Sequence, residues 1–250
     1  MQHNNKILSI RLSPDGLSFW TTGLTGSISG NMDAHRDLWE VSSERWLSFD
    51  TEKEIRDNIE ACAAAIKEAT ARDTIVSVEA YQDGLKSVLV PAEYSTGNAA
   101  YFKGLLEENG IEVGEDDGVA CVNVVGDINA VMVYDKKTVN ILKEFFGDIA
   151  IVSPYSINIE VMRKCGAGRR RSVAVYLSRQ YAYITVFERK SGDVLYADAM
   201  QWSADTDILY YLSSLDQTFE FKKGKVYLRG AGADEVSKLL GKYFRKTRCE

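Results

Sequence analysis

The residues best suited to chemistry are the glycines of a turn near the end of the chain. A strand over residues 225–229 runs into Gly230-Ala231-Gly232, and the last helix follows. Glycines between a strand and a helix let the backbone approach a bound group closely. A lone Gly-x-Gly also occurs commonly where a strand ends and a helix begins, so a ligand-binding turn and a simple connecting turn both remain open.

A second glycine-rich stretch occupies residues 21–30 and contains Gly23, Gly26 and Gly30. It could cradle a phosphate, but it lacks the Gly-Lys-Ser/Thr ending of a P-loop. This composition favours a flexible turn between strands.

Few other residues have spacings that support catalysis or metal binding. The only histidines are His3 and His35, and there is neither an H-E-x-x-H motif nor a G-x-S-x-G motif. We therefore predict no Ser-His-Asp triad, no catalytic residues and no metal site. No two cysteines form a C-x-x-C pair, which indicates thiols in a reducing compartment. The cysteines are Cys62, Cys121, Cys165 and Cys249.

Composition and charge narrow the class of protein. The chain has 250 residues, of which 45% are hydrophobic and 26% charged, with a formal net charge of −6. An acidic chain is a poor match for nucleic acid, which needs a concentrated basic surface. No signal peptide and no apolar run of about 20 residues is evident. We expect a cytoplasmic protein that does not insert into a membrane.

The glycine turns must be positioned by strands, and one strand pattern occurs twice. Strands are predicted at 6–12 and 16–22, and again at 172–178 and 181–188. The sequence Pro14-Asp15-Gly16 strongly favours a turn, since Pro fixes φ and Gly tolerates positive φ. The repeated hairpin predicts two similar lobes.

Other segments complete the predicted order of elements. Residues 39–49 are predicted as a third strand, and Thr51 and Glu54 have the spacing of a capping box at the start of a helix. Residues 166–171 form the predicted connector between lobes, and they include the basic triplet 169–171. The triplet is either a solvated helix end or an anion site. The predicted domains are 1–168, with an inserted subdomain around 80–135, and 169–250.

This order of elements resembles the actin-like ATPase superfamily, which includes actin, sugar kinases, Hsp70 chaperones and ATPase homologues of pilus assembly and secretion. The resemblance rests on the order and spacing of three motifs, LSIRLSPDGLSFW, LVPAEY and VYLRGAGADEVSKLL. The chain looks like a member of a bacterial family of unknown function with that fold. The resemblance implies an α/β, ribonuclease H-like duplicated fold. Each lobe would hold a mixed five-stranded sheet flanked by helices.

The resemblance also implies where nucleotide would bind. Active members carry an acid followed by Gly in each hairpin, where they hold magnesium and phosphate. Here the first strand ends in Arg11-Leu12-Ser13-Pro14 and the second hairpin has Ser178-Arg179-Gln180. Neither of these segments has that acid. Asp15-Gly16 follows slightly later in the first hairpin, where it either approximates the motif or simply makes the turn. The candidate nucleotide-binding residues are Ser13, Asp15, Gly16, Ser178, Gly230, Ala231 and Gly232.

The missing acids favour a non-catalytic scaffold or protein-interaction module, since phosphoryl transfer depends on a positioned metal and charge stabilisation. One alternative is an atypical ATPase or kinase that uses ATP and magnesium in an interlobe cleft, with Asp15, Asp127 or Asp205 as the acid. Another is a sensor that binds nucleotide without hydrolysing it. We expect an unknown protein partner, with a homodimer possible, and no required cofactor.

Overall fold

The fold is mixed α/β, and the computed structural model describes residues 5–24, 38–166 and 169–249. The chain divides into two units, each built from three stretches. Unit 1 contains Met1–Gln82, Val113–Ala120 and Val133–Val152. Unit 2 contains Asp83–Glu112, Cys121–Met132 and Ser153–Glu250. The domain boundary at 168/169 stays a prediction, and the connector residues 167 and 168 lie outside the described residues.

Fourteen strands occur in the described part of the chain. They are β1 (Asn5–Ser13), β2 (Gly16–Leu24), β3 (Leu38–Val41), β4 (Arg45–Ser48), β5 (Thr74–Gln82), β6 (Ser87–Pro91), β7 (Asp117–Val125), β8 (Ile128–Asp135), β9 (Ile149–Val152), β10 (Ser172–Leu177), β11 (Tyr181–Phe187), β12 (Val194–Gln201), β13 (Val226–Gly230) and β14 (Thr247–Cys249).

Six α-helices occur in the same residues, with a short 3-10 helix at Ala92–Thr96. The α-helices are α1 (Ile55–Ala69), α2 (Ala99–Glu108), α3 (Lys136–Phe146), α4 (Tyr155–Cys165), α5 (Asp205–Phe219) and α6 (Ala233–Leu240). No helix in the described residues is both long enough and apolar enough to cross a bilayer.

The two large sheets share one topology, as the repeated hairpin predicts. The first sheet has the order β3-β2-β1-β5-β9 and the second has β12-β11-β10-β13-β14. In each, the central strand pairs antiparallel with the next strand in sequence and parallel with a later one. A third sheet has the order β6-β8-β7 and falls within the predicted insertion.

Period-2 alternation of apolar residues builds the core of unit 1. Leu8, Ile10 and Leu12 alternate along β1 and are almost completely buried. They belong to one cluster with the apolar residues of α1 and α3, such as Ile59 and Leu142. The apolar face of β1 and the apolar faces of α1 and α3 therefore pack together on one side of this sheet.

The core of unit 2 follows the same rule. Val173, Val175 and Leu177 of β10 cluster with Leu212 of α5 and Val236 of α6. These helices connect β12 to β13 and β13 to β14, so each crossover helix covers the sheet that it joins.

The first large sheet has six strands rather than the predicted five, because residues 38–48 form two strands instead of one. β3 pairs with β2 near Thr22, while β4 pairs with it from Gly16 to Phe19. Between the two pairings, Ser42 accepts through Oγ from Thr21 N at 2.9 Å and donates its own N–H to Thr21 O at 2.9 Å. The nine residues of β2 thus hold both short strands along one edge.

The predicted capping box of α1 is wrong. The helix begins at Ile55 with Glu54 as its N-cap, and no side chain caps it. Buried Asn58 organises the preceding turn instead. Its Oδ1 accepts from Asp50 N at 2.7 Å, and its Nδ2 donates to Asp50 O at 2.9 Å. These hydrogen bonds of Asn58 thus organise the turn before α1 in place of the Thr51/Glu54 pattern.

Replacing Asn58 by alanine should destabilise the protein by about 2 kcal/mol, because it removes two part-buried hydrogen bonds to the backbone of Asp50. Urea titration followed by circular dichroism measures the loss. Asn109→Ala is the matched control, since Asn109 donates a single exposed hydrogen bond to Leu105 O. Equal losses in the two variants would contradict the role assigned to Asn58.

Candidate functional site

The turn of the first hairpin lies in unit 1 and is two residues long. Ser13 pairs with Gly16, so Pro14 and Asp15 form the loop. Asp15 is exposed, and its carbonyl accepts from Phe49 N at 2.9 Å. The predicted role of Asp15 in the turn agrees with this geometry.

Gly16 is required by a close approach, not by the positive φ that its turn position predicts. A Cβ at this position would lie 2.3 Å from Leu47 O and 2.6 Å from the Trp46 ring. The neighbouring strand β4 leaves no space for a side chain. The glycine at this turn therefore has a packing explanation.

A buried base precedes this turn. Arg11 is 2% exposed, and its guanidinium forms an ion pair with Glu44 at 2.8 Å. The same Glu44 oxygen accepts from Ser18 Oγ at 2.5 Å. A buried ion pair depends on such additional hydrogen bonds, because desolvation of both charges is costly. The strand end therefore carries a fixed positive charge that is already paired.

The turn of the second hairpin lies in unit 2 and is closed by hydrogen bonds around Ser178. Ser178 is fully buried. Its N–H donates to Tyr181 O at 2.8 Å, and its Oγ accepts from Tyr181 N at 2.9 Å. Its carbonyl accepts from Trp202 Nε1 at 3.1 Å. The backbone groups and the hydroxyl of Ser178 all have partners within the chain.

The glycine turn adjoins this hairpin, since Leu177 and Gly230 are partners in the parallel pairing of β10 with β13. Gly230 has φ of +105°, and a Cβ there would lie 2.1 Å from Leu177 O. Ala231 N donates to that same carbonyl at 2.8 Å. The close approach and the backbone conformation both require glycine at position 230.

Gly232 is the N-cap of α6, with φ of +70°. A Cβ there would meet only the Trp202 ring, at 3.4 Å, so space exists on this side of the turn. The structure thus brings Ser178, Gly230, Ala231 and Gly232 together at the carboxyl ends of β10 and β13. Ser13, Asp15 and Gly16 lie in the other unit.

Trp202 is the residue of this region that the sequence analysis missed. Its N–H donates to Gln180 O at 2.9 Å, its indole N–H donates to Ser178 O, and its ring lies beside Gly232. One side chain therefore joins the hairpin turn to the glycine turn. No local signal distinguishes this tryptophan from those in an apolar core.

A buried carboxylate in unit 2 was also missed. Asp83 is 6% exposed and accepts at Oδ1 from Tyr183 Oη at 2.9 Å, while Gly84 N donates to Tyr183 Oη at 2.8 Å. Burial, followed by the charge of Asp83, raises the pKa of Tyr183 well above its ordinary value. Tyr183 stacks on Tyr176, whose ring would lie 3.1 Å from a Cβ at Gly230. Two tyrosines thus connect the glycine turn to this carboxylate.

The acids proposed at shifted positions occupy separate elements. Asp15 lies in the first hairpin turn, Asp127 in the exposed turn between β7 and β8, and Asp205 at the first residue of α5. Beside it, Asp207 accepts from Ser203 N and Ala204 N, each at 2.9 Å, and these backbone bonds lower its pKa. Asp207 therefore supports the start of the helix. The described residues contain no group of three His, Cys, Asp or Glu side chains placed to hold a metal ion.

Solved structures with the same architecture identify the class of fold. A Bacteroides thetaiotaomicron protein, described as having an actin-like ATPase fold and unknown function, matches with a TM-score of 0.67 and 19% identity over 100% of this chain and 92% of that chain. The PilM-PilN type IV pilus biogenesis complex matches with a TM-score of 0.57 and 13% identity over 98% and 88%. This chain has the actin-like ATPase fold, which confirms the predicted fold class.

The sequence also identifies the family. Residues 35–247 match the family described as "Protein of unknown function (DUF3822)", so the chain belongs to that family. A search of curated proteins finds no match.

Replacing Gly230 by alanine should destabilise the protein by about 3 kcal/mol or more, with or without nucleotide, because the new Cβ meets Leu177 O in a strained conformation. Gly126→Ala is the control. Gly126 has φ of +51° but open space around a Cβ, so only about 1 kcal/mol should be lost. Chemical denaturation measures both variants. A Gly230→Ala loss no larger than the control would contradict the packing role.

Proposed function

We propose that this protein is a non-catalytic member of the actin-like fold that works by binding another protein. The observation that carries the proposal is that backbone donors in the hairpin turn and the glycine turn of unit 2 are already hydrogen-bonded within the chain. Two N–H groups suited to a phosphate, those of Ser178 and Ala231, donate instead to Tyr181 O and Leu177 O. A donor already engaged in a buried bond is available to a ligand only if that bond breaks.

The absence of suitable carboxylates at the two turns supports the same proposal. The second turn has Arg179 and Gln180 between its paired residues, and the first offers only exposed Asp15. Magnesium in nucleotide sites is typically held by one or two carboxylates together with phosphates and water. The residues at these turns therefore fit a magnesium nucleotide poorly.

A protein of this fold that acts in a protein assembly supports the choice of partner. PilM is described in a type IV pilus biogenesis complex with PilN. We propose by analogy that this chain binds a protein partner in the cytoplasm, and a homodimer is one form that such binding can take. Fold analogy suggests the kind of partner without naming it.

One observation favours a nucleotide sensor as the second candidate. α6 begins at Gly232 without a side-chain cap, and a Cβ at Gly232 would meet only a ring edge. Uncapped N–H groups at a helix start favour an anion. Binding there would need no carboxylate and would give no turnover.

Titration of the full chain with ATP and magnesium in a calorimeter should give no saturable heat, and a phosphate-release assay should give no turnover. Asp15→Asn should leave both results unchanged, as should the control Asp148→Asn, which changes another exposed acid. Saturable binding without phosphate release would favour the sensor. Turnover lost in Asp15→Asn and kept in the control would establish an enzyme and overturn the proposal.

A further inference from the structure

Basic residues gather where three neighbouring parallel strands of unit 2 begin. β10, β13 and β14 are adjacent in the sheet, and each is preceded by a short basic connection. We call this surface the basic edge. It comprises Arg169, Arg170, Arg171, Lys222, Lys223, Lys225, Arg245 and Lys246.

Backbone hydrogen bonds hold the three connections side by side. Lys225 O accepts from Val173 N at 2.9 Å, and Lys246 O accepts from Val226 N at 2.9 Å. Arg245 N donates to Lys222 O at 3.5 Å. Segments that are remote in sequence therefore form one continuous surface, with strands about 4.8 Å apart beneath it.

Most of these side chains are free to meet a partner. Within the residues that the structure describes, six are exposed and form no ion pair or side-chain hydrogen bond: Arg169, Arg170, Lys222, Lys223, Arg245 and Lys246. Arg171 is engaged, since it pairs with Glu188 at 3.4 Å and donates to Phe219 O at 3.0 Å. Lys225 lies over the Tyr227 ring.

The charge of this edge contrasts with that of the whole chain. The chain carries −6, whereas the connections before β10, β13 and β14 contain one acid, Glu220, beside their bases. Glu188 pairs with Arg171, and Asp216 accepts from Lys222 N. Clustered like charges repel one another, and an opposing anionic surface relieves that repulsion. Screening over about 8 Å at physiological salt shields an anionic surface at this edge from more distant acids.

We propose that the basic edge adsorbs to an anionic phospholipid surface. Flexible Lys and Arg side chains on loops suit a diffuse layer of negative head groups, and clusters of this size are sufficient for adsorption. Their aliphatic stems can lie along the head-group layer while the charges remain hydrated. Exposed Tyr243, two residues before Arg245, adds an aromatic side chain of the type enriched at membrane interfaces.

The same loops suit nucleic acid less well. Every residue of the basic edge lies in a connection between elements, so none is carried into a groove on a helix or a strand. The phenylalanines of these loops, Phe221 and Phe244, stack on each other and are buried. They offer no platform for unpaired bases, and Tyr243 is the one exposed aromatic side chain among the described residues of these loops.

Co-sedimentation of the full chain with vesicles tests the proposal. Phosphatidylcholine vesicles with about 30% phosphatidylserine should bind the protein at about 50 mM salt, and binding should fall several-fold by about 300 mM. Phosphatidylcholine alone should not bind it. No binding to the anionic vesicles, or equal binding to both, would overturn the proposal.

Charge reversal locates the surface. Lys222→Glu with Lys223→Glu should weaken vesicle binding by about tenfold or more. Lys136→Glu with Lys143→Glu, on exposed positions of α3, changes the net charge equally and should weaken binding less than about twofold. Thermal melting checks that both variants are folded. Equal weakening in the two variants would overturn the assignment to this edge.

Fluorescence polarisation with labelled single-stranded and duplex DNA is the competing measurement. No saturable binding is expected. DNA binding that is lost in the Lys222/Lys223 variant, together with no vesicle binding, would assign the edge to nucleic acid and refute the membrane proposal.

Discussion

Each large sheet depends on a central strand that is hydrogen-bonded along both edges. β1 and β10 each pair antiparallel with the other strand of a hairpin and parallel with a strand returned by a crossover. A tight turn is sufficient to connect the central strand to its antiparallel partner. The parallel partner can be reached only through a long connection, which here contains a helix. This constraint places the hairpin turn and the end of the returning strand at the same edge of the sheet. Ligand sites of open α/β sheets commonly form at that edge.

In unit 2 the same constraint limits what the turns can bind. The end of β13 comes so close to β10 that Leu177 O accepts from Ala231 N, and only glycine fits at position 230. The indole N–H of Trp202 donates a hydrogen bond to the carbonyl of Ser178. Backbone groups that would otherwise need a ligand or water thus find partners in the chain. A glycine turn of this kind follows from packing alone, so its sequence is weak support for a nucleotide site.

Much of the fold could be predicted from the sequence because its signals are local. Alternating apolar residues and the Pro14-Asp15 turn predict the first hairpin, whose strands the structure places at Asn5–Ser13 and Gly16–Leu24. Two adjacent strands in place of one at 38–48 could not be predicted, because their separation depends on bonds between Ser42 and Thr21. The turn before α1 depends on Asn58, which lies inside the helix and bonds back to Asp50, so the Thr51/Glu54 spacing predicts a capping box that does not form.

The site was harder to predict because its contacts join residues far apart in sequence. Tyr183 and Asp83 are separated by 100 positions, and Gln82-Asp83-Gly84 alone resembles an ordinary exposed turn. The residue type alone picks out the candidate glycines. Whether each glycine is required for packing or for a ligand depends on neighbours that no local sequence pattern specifies. An anion site is one of the two interpretations of the triplet Arg169-Arg170-Arg171, but Lys222 and Arg245 join it only through the pairing of β10, β13 and β14.

The two ends of the unit 2 sheet therefore differ in what they offer a partner. At the carboxyl ends of β10 and β13, the donors of Ser178 and Ala231 are bonded within the chain. At the amino ends, exposed bases have no side-chain partner in the described residues. Binding requires groups whose interactions are not already satisfied, and a fold can present such groups away from the edge where open α/β sheets commonly bind ligands. On this physical ground, the amino ends are the more favourable place in unit 2 for an anionic partner.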